Sequence, residues 1–233
     1  MEFSLLSRRR VVGLSLAAAL LVAAGLPAPA TAASSPDSSS GADSSAGAAP
    51  GTDVAQAAIV PIHALDEALL GIMRAGRTAP FEKRFDMLAP AIDLAFDLPH
   101  ILRISVGAAW PGLNPPLQAS LLAAFRRYTV ASYVDNFDEF DGQHFEEQPS
   151  TRALPDGEQV VVTKIVARSG DSHQLDYVMR EQNGVWKAVD VLADGAISRV
   201  AVQRSDFRHL LDQGGATALM ASLQRKTRDL SRG

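Results

Sequence analysis

Between residues 59 and 73 the apolar side chains Ile59, Ile62, Leu65, Leu69, Ile72 and Met73 return at three- and four-residue steps, the spacing that puts them on one face of an α-helix. Asp53 can cap this helix, which runs to about Arg74 and ends at Gly76. Pro61 sits awkwardly inside it, so the ordered helix starts at Asp53 or at Pro61. A second helical stretch opens near Pro80, with Phe81, Phe85, Leu88, Ile92, Leu94 and Phe96 apolar and Pro90 kinking or splitting it. Pro99 opens a short helical piece that stops at Gly107, and Trp110-Pro111-Gly112-Leu113-Asn114-Pro115-Pro116 reads as a loop. The longest helix is expected over 116–140, where Leu117, Leu121, Phe125, Tyr128 and Ser132 share a stripe that Leu122, Thr129, Tyr133, Asn136, Phe137 and Phe140 widen.

Past Asp141-Gly142 the period changes to two. Strands are expected over 143–152, 159–168, 173–181 and 185–192, joined by Pro155-Asp156-Gly157, Ser169-Gly170-Asp171 and Asn183-Gly184. Such short connections, Asn-Gly above all, make an antiparallel meander. From Val160 to Val166 the pattern is apolar at both parities, which predicts that both faces of the sheet are covered there. Ser198 can cap a helix to about Asp212, Gly214-Gly215 breaks it, and a last helix over 217–230 carries Leu219, Met220, Leu223 and Leu230. The whole reads as an α+β domain, with N-terminal and C-terminal helices packed on the concave side of a curved antiparallel sheet of about four strands.

The chain begins differently. Arg8, Arg9 and Arg10 precede an uncharged apolar run from Val11 to Leu26, and small residues, Ala28-Pro29-Ala30 and Thr31-Ala32-Ala33, follow. This is the layout of a cleavable secretory signal over residues 1–33, the alternative being an uncleaved anchor. Residues 34–53, rich in Ser, Gly, Ala and Pro, form a linker with nothing to bury, and 54–233 form the folded domain. Loss of residues 1–33 moves the net charge from −4 to −6. Such a chain lacks the basic footprint of non-specific nucleic-acid binding. With no Cys, zinc ribbons, thiol nucleophiles and disulfides are excluded.

Catalytic constellations are scarce. His63, His100, His144, His173 and His209 lack metal-ligand spacing, and there is no nucleophile elbow, phosphate loop or dinucleotide fingerprint. Asp176-Tyr177 could imitate an acid/base isomerase site, but reads more simply as a surface Asp beside a core Tyr.

Several stretches in order are more specific: Leu175-Asp176-Tyr177-Val178-Met179-Arg180, Gly184-Val185-Trp186-Lys187-Ala188-Val189-Asp190-Val191, Gly195-Ala196-Ile197-Ser198 and Arg204-Ser205-Asp206-Phe207. Together with Phe96-Asp97-Leu98-Pro99, Val106-Gly107-Ala108-Ala109-Trp110, Phe125 with Tyr128, and the secretory leader, they resemble the MlaC family of periplasmic lipid carriers, which pair with ABC transporters of the toluene-tolerance type. The 190–198 and 200–207 stretches are most similar to the hopanoid-associated branch, HpnM. The resemblance covers about residues 60–230. It implies a nuclear transport factor-like or cystatin-like fold and a periplasmic monomer that shuttles a phospholipid or hopanoid between inner- and outer-membrane complexes. No cofactor, no metal, no catalysis and no nucleic acid are implied, and contact with the membrane is transient.

Such a carrier needs an apolar cavity. Val160, Val162, Tyr177, Met179, Val185 and Val189 on the sheet, with Phe96, Ile101, Ile104, Trp110, Leu121, Phe125 and Tyr128 on the helices, could line it or could fill an ordinary core. Asp190 and Arg204 could form a bidentate structural pair that pins helix to sheet. Arg126, Arg127, Arg204, Arg208, Arg225, Lys226 and Arg228 could dock on membrane partners or anionic headgroups. Two other functions fit the same pattern. One is a small isomerase or dehydratase using Asp176, Tyr177 or Asp190, which a buried carboxylate of raised pKa would favour. The other is an exported adaptor with a solid core and no ligand.

Overall fold

The computed structural model describes residues 50–232, with side chains from 53 onward. The expected signal over 1–33, and the linker except for its last four residues, lie outside the described residues.

Helix α1 (Pro50–Ala75) starts three residues before Asp53, so that residue lies in its first turn and not at its cap. Pro61 is accommodated within the helix because its ring is buried beside Ile62, Leu65, Leu69 and Ile72, all fully buried. That packing offsets the hydrogen bond the proline removes. α1 is long and apolar enough to cross a membrane, but its apolar stripe is spent against the following helix and strands of the sheet. It ends at Gly76, whose φ of 59° suits the left-handed position after a helix.

Helix α2 (Phe81–Ala95) likewise runs through Pro90 without a break. Helix α3 (Leu98–Val106) is capped by Asp97, whose carboxylate accepts the backbone N–H of His100 at 3.0 Å. Residues 107–112 wind into a 3₁₀ turn, which takes in Trp110, Pro111 and Gly112 at the start of the expected loop. Gln118 fixes it by donating to the carbonyls of Trp110 and Leu113 at 3.0 and 3.1 Å. Helix α4 (Pro115–Asn136) starts on the Asn114 cap and stops four residues short of Phe140.

Among the described residues the sheet has six strands, where about four were expected. The first expected strand divides into β1 (His144–Glu147) and β2 (Arg152–Ala153), both paired with β3 (Gln159–Val166). β4 (Ser172–Gln182), β5 (Val185–Ala193) and the short β6 (Ile197–Ser198) follow in spatial order. All pairings are antiparallel, and the sheet is curved and unclosed. Helix α5 (Arg199–Leu230) follows at once, and non-helical angles at Gly214 and Gly215 make it two helices meeting at a kink, as expected.

Register decides what faces what. β3 and β4 pair Val161 with Tyr177 and Val160 with Val178, so Val160 and Tyr177 lie on opposite faces. All four are buried, so both faces are covered at this point. Across β4 and β5 the Asn183-Gly184 turn sets Met179 opposite Ala188, but a bulge at Val178/Met179 then sets Val178 opposite Asp190.

Candidate functional site

On the Tyr177 face, Val161, Thr163, Ile165, Leu175 and Met179 are buried beneath the helices. Phe96, at the end of α2, brings its ring 6.2 Å from Tyr177 and 5.7 Å from Tyr133 of α4. Tyr133 in turn stacks on Phe137 at 5.9 Å, and Phe137 lies 6.3 Å from Phe145 of β1. These five rings form a continuous aromatic seam between helices and sheet. Tyr133 keeps accessible surface, yet its hydroxyl lies deep enough for burial to push its pKa far upward.

The seam carries unusual polar groups. Asp66 follows Leu65 on α1 and is 2% exposed, and neither of its carboxyl oxygens has a hydrogen-bond partner among the described residues. Burial, reinforced by the negative charges of Glu147 and Glu67, pushes its pKa up to about 8. The Tyr177 hydroxyl is also buried without a partner, and its pKa is raised well above the usual tyrosine range, by burial first and then by Tyr133, Asp66 and Glu147. At the rim Glu147 of β1 accepts from His63 of α1 at 2.8 Å, a pairing that raises the His63 pKa.

The structure distributes the expected lining residues over four places. Phe96, Tyr177 and Met179 meet at the seam. Ile101, Leu121 and Phe125 are buried among α3, α4 and α5, where Phe125 meets Phe207 edge-on at 6.2 Å, while Ile104, Trp110 and Tyr128 are half-buried. Val160 and Val162 lie on the other face of the sheet, since neighbouring residues of a strand alternate, and Val189 is the extra residue of the bulge. Val185 stands at the Asn-Gly turn and is 48% exposed, too far along the strand to reach any interior. Asp66, Tyr133, Phe137 and Phe145 were not expected at the site. The signal for Asp66 was there, a single acid four residues after Ile62 and three before Leu69.

Asp190 pins helix to sheet, but not through Arg204. Its carboxylate accepts from the Ser198 hydroxyl at 2.5 Å and from the Val200 backbone N–H at 3.1 Å, whereas Arg204 is exposed and lies beside Gly107. Asp176 is buried, not on the surface, and accepts from Gln174 at 2.8 Å. Of the basic residues, Arg126 forms a bidentate pair with Asp93 at 2.7 and 2.6 Å. Arg127 pairs with Glu82 at 2.8 Å and lies over Phe85, and Lys226 lies over Tyr128. Arg204, Arg208, Arg225 and Arg228 are exposed along α5. No group of three His, Asp or Glu among the described residues is placed to hold a metal.

The family model for the MlaC protein matches residues 64–225. No curated protein matches the sequence. A solved structure of a phospholipid-binding protein from Ralstonia solanacearum, in complex with a phospholipid, is similar with a TM-score of 0.65 at 21% identity, over 75% of this chain and 98% of that one. At that identity the likeness shows a shared fold.

Proposed function

This chain belongs to the MlaC family, and from that premise we propose that it is a periplasmic carrier that takes one lipid from a membrane complex and delivers it to another as part of an ABC-type transport system. The cargo is a phospholipid or a hopanoid, the second suggested by the resemblance of the 190–198 and 200–207 stretches to the HpnM branch and the first by the phospholipid held in the similar fold. The protein works as a monomer, exported by its N-terminal signal, touching membranes transiently and using no cofactor.

Exposing a lipid tail to water costs about 0.8 kcal/mol per CH₂, so a sixteen-carbon chain crossing unprotected would lose on the order of 12 kcal/mol. A carrier must supply surroundings almost as apolar as the bilayer and bind without a bond being made or broken. The observation that carries this reading is the seam of Phe96, Tyr133, Phe137, Phe145 and Tyr177 between helices and curved sheet, in a fold shared with a protein that holds a phospholipid. The exposed arginines of α5 are the docking surface for partner complexes in this reading.

The enzyme reading has one observation in its favour, the raised pKa of Asp66. Of the three groups it named, Tyr177 points to the face of the sheet opposite Asp176 and Asp190, and the Asp190 carboxylate is engaged at the start of α5. Native mass spectrometry of the exported protein, followed by lipid extraction, tests the carrier reading. A bound lipid is expected. An empty protein, even after incubation with bilayers, would defeat it.

A further inference from the structure

Two buried polar groups in this interior stand without a hydrogen-bond partner among the described residues. Asp66 projects from the buried stripe of α1, among Ile62, Leu65 and Leu69, and the Tyr177 hydroxyl ends a ring packed on Phe96. Both are almost wholly buried, and neither finds a hydrogen-bond partner among the described residues. Buried polar groups are normally partnered, because leaving one unpaired is costly. We propose that Asp66 and Tyr177 together form a recognition site for an uncharged hydroxyl of the cargo, so that the carrier selects a hydroxylated lipid over its hydrocarbon counterpart.

This inference rests on the carrier reading and adds the chemical class of the cargo. A protonated carboxyl and a phenol can each donate one hydrogen bond and accept others, and an alcohol offers the same complement. A phosphate does not fit. The charged groups that act on Asp66 are Glu147 and Glu67 and include no cation, so an anion beside Asp66 would meet negative charge.

The test uses the mature chain stripped of lipid and mixed with phosphatidylcholine vesicles containing equal amounts of diplopterol, a pentacyclic alcohol, and diploptene, its hydrocarbon counterpart. Extracted protein is then analysed for all three lipids. The wild type is expected to take up the alcohol over the hydrocarbon by about tenfold or more, the ratio that one satisfied hydrogen bond and the avoided cost of an unpaired group predict. Asp66→Leu and Tyr177→Phe, which keep the volume apolar, are expected to bring the ratio towards one, and Asp66→Asn to keep a preference. Equal uptake of alcohol and hydrocarbon by the wild type would overturn the inference, as would a preference that survives in Asp66→Leu. Uptake of phosphatidylcholine alone would overturn it and leave the carrier reading standing. Uptake of none of the three would overturn both.

Discussion

The Asp190 carboxylate of β5 accepts the backbone N–H of Val200 at 3.1 Å, joining the last long strand to the first turn of α5. The same side chain accepts from the Ser198 hydroxyl, and Ser198 Oγ accepts the N–H of Ala201 at 2.9 Å. Two otherwise orphaned helix N–H groups are satisfied, and a negative charge sits at the positive end of the helix. Asp190→Ala is therefore expected to lower stability by about 1–2 kcal/mol. Arg204→Ala, which removes an exposed side chain, should stay within about 0.5 kcal/mol. Urea unfolding of both variants checks this; the opposite ranking would restore the Asp190–Arg204 pair.

Asp66 makes stability depend on pH. Folded, its carboxyl holds a proton up to about pH 8, while unfolded it releases the proton near 3.8. Between those values the native state binds more protons than the unfolded one, so stability falls as pH rises, by about 1.4 kcal/mol per pH unit at the steepest and on the order of 5 kcal/mol in all. The contribution is fully present below pH 3.8 and lost by about pH 8. Asp66→Asn should flatten this part of the curve. Denaturant midpoints across that range are the measurement, and equal slopes in both proteins would contradict the assignment.

Phe125 is 2% exposed and meets Phe207 edge-on, tying α4 to α5. Phe125→Ala leaves a cavity and is expected to cost about 3–5 kcal/mol. Val185→Ala, at an exposed turn, should change stability by no more than about 0.5 kcal/mol. Thermal melts that rank the two otherwise would place Val185 in a core after all.

The kink of α5 depends on Gly215, at φ 63° and ψ −158°, where an L side chain is strained even though a Cβ would meet nothing within 4 Å. Gly215→Ala is expected to cost about 1–3 kcal/mol through the backbone alone. A variant as stable as the wild type would mean that α5 straightens without loss.

The fold was legible wherever a local rule sufficed. Helical spacing marked the helices, Gly107 the end of α3 and Gly214-Gly215 the kink of α5, and short Gly-containing turns marked the meander. The prolines misled, always towards a break. Pro61 and Pro90 were absorbed because the packed stripes around them outweigh one lost hydrogen bond, and Pro111 sits in a 3₁₀ turn held from outside by Gln118.

The sequence by itself determined the α+β class, the order of elements and the ordered stretches that mark the family, because these depend on periodicity and turn chemistry within short windows. Only the tertiary structure decided the composition of the interior. Strand parity says which residues share a face within one strand, but the register between strands puts Tyr177 with Val161 and sends Val160 to the other side. The bulge matters as much. Had the register set at the Asn-Gly turn continued unbroken, Asp190 would lie opposite Tyr177; shifted by one residue, it faces Val178 and reaches α5. Asp66 was visible as one acid in an apolar stripe, but its lack of a hydrogen-bond partner among the described residues is a property of three-dimensional packing, to which α1, α2 and the sheet all contribute.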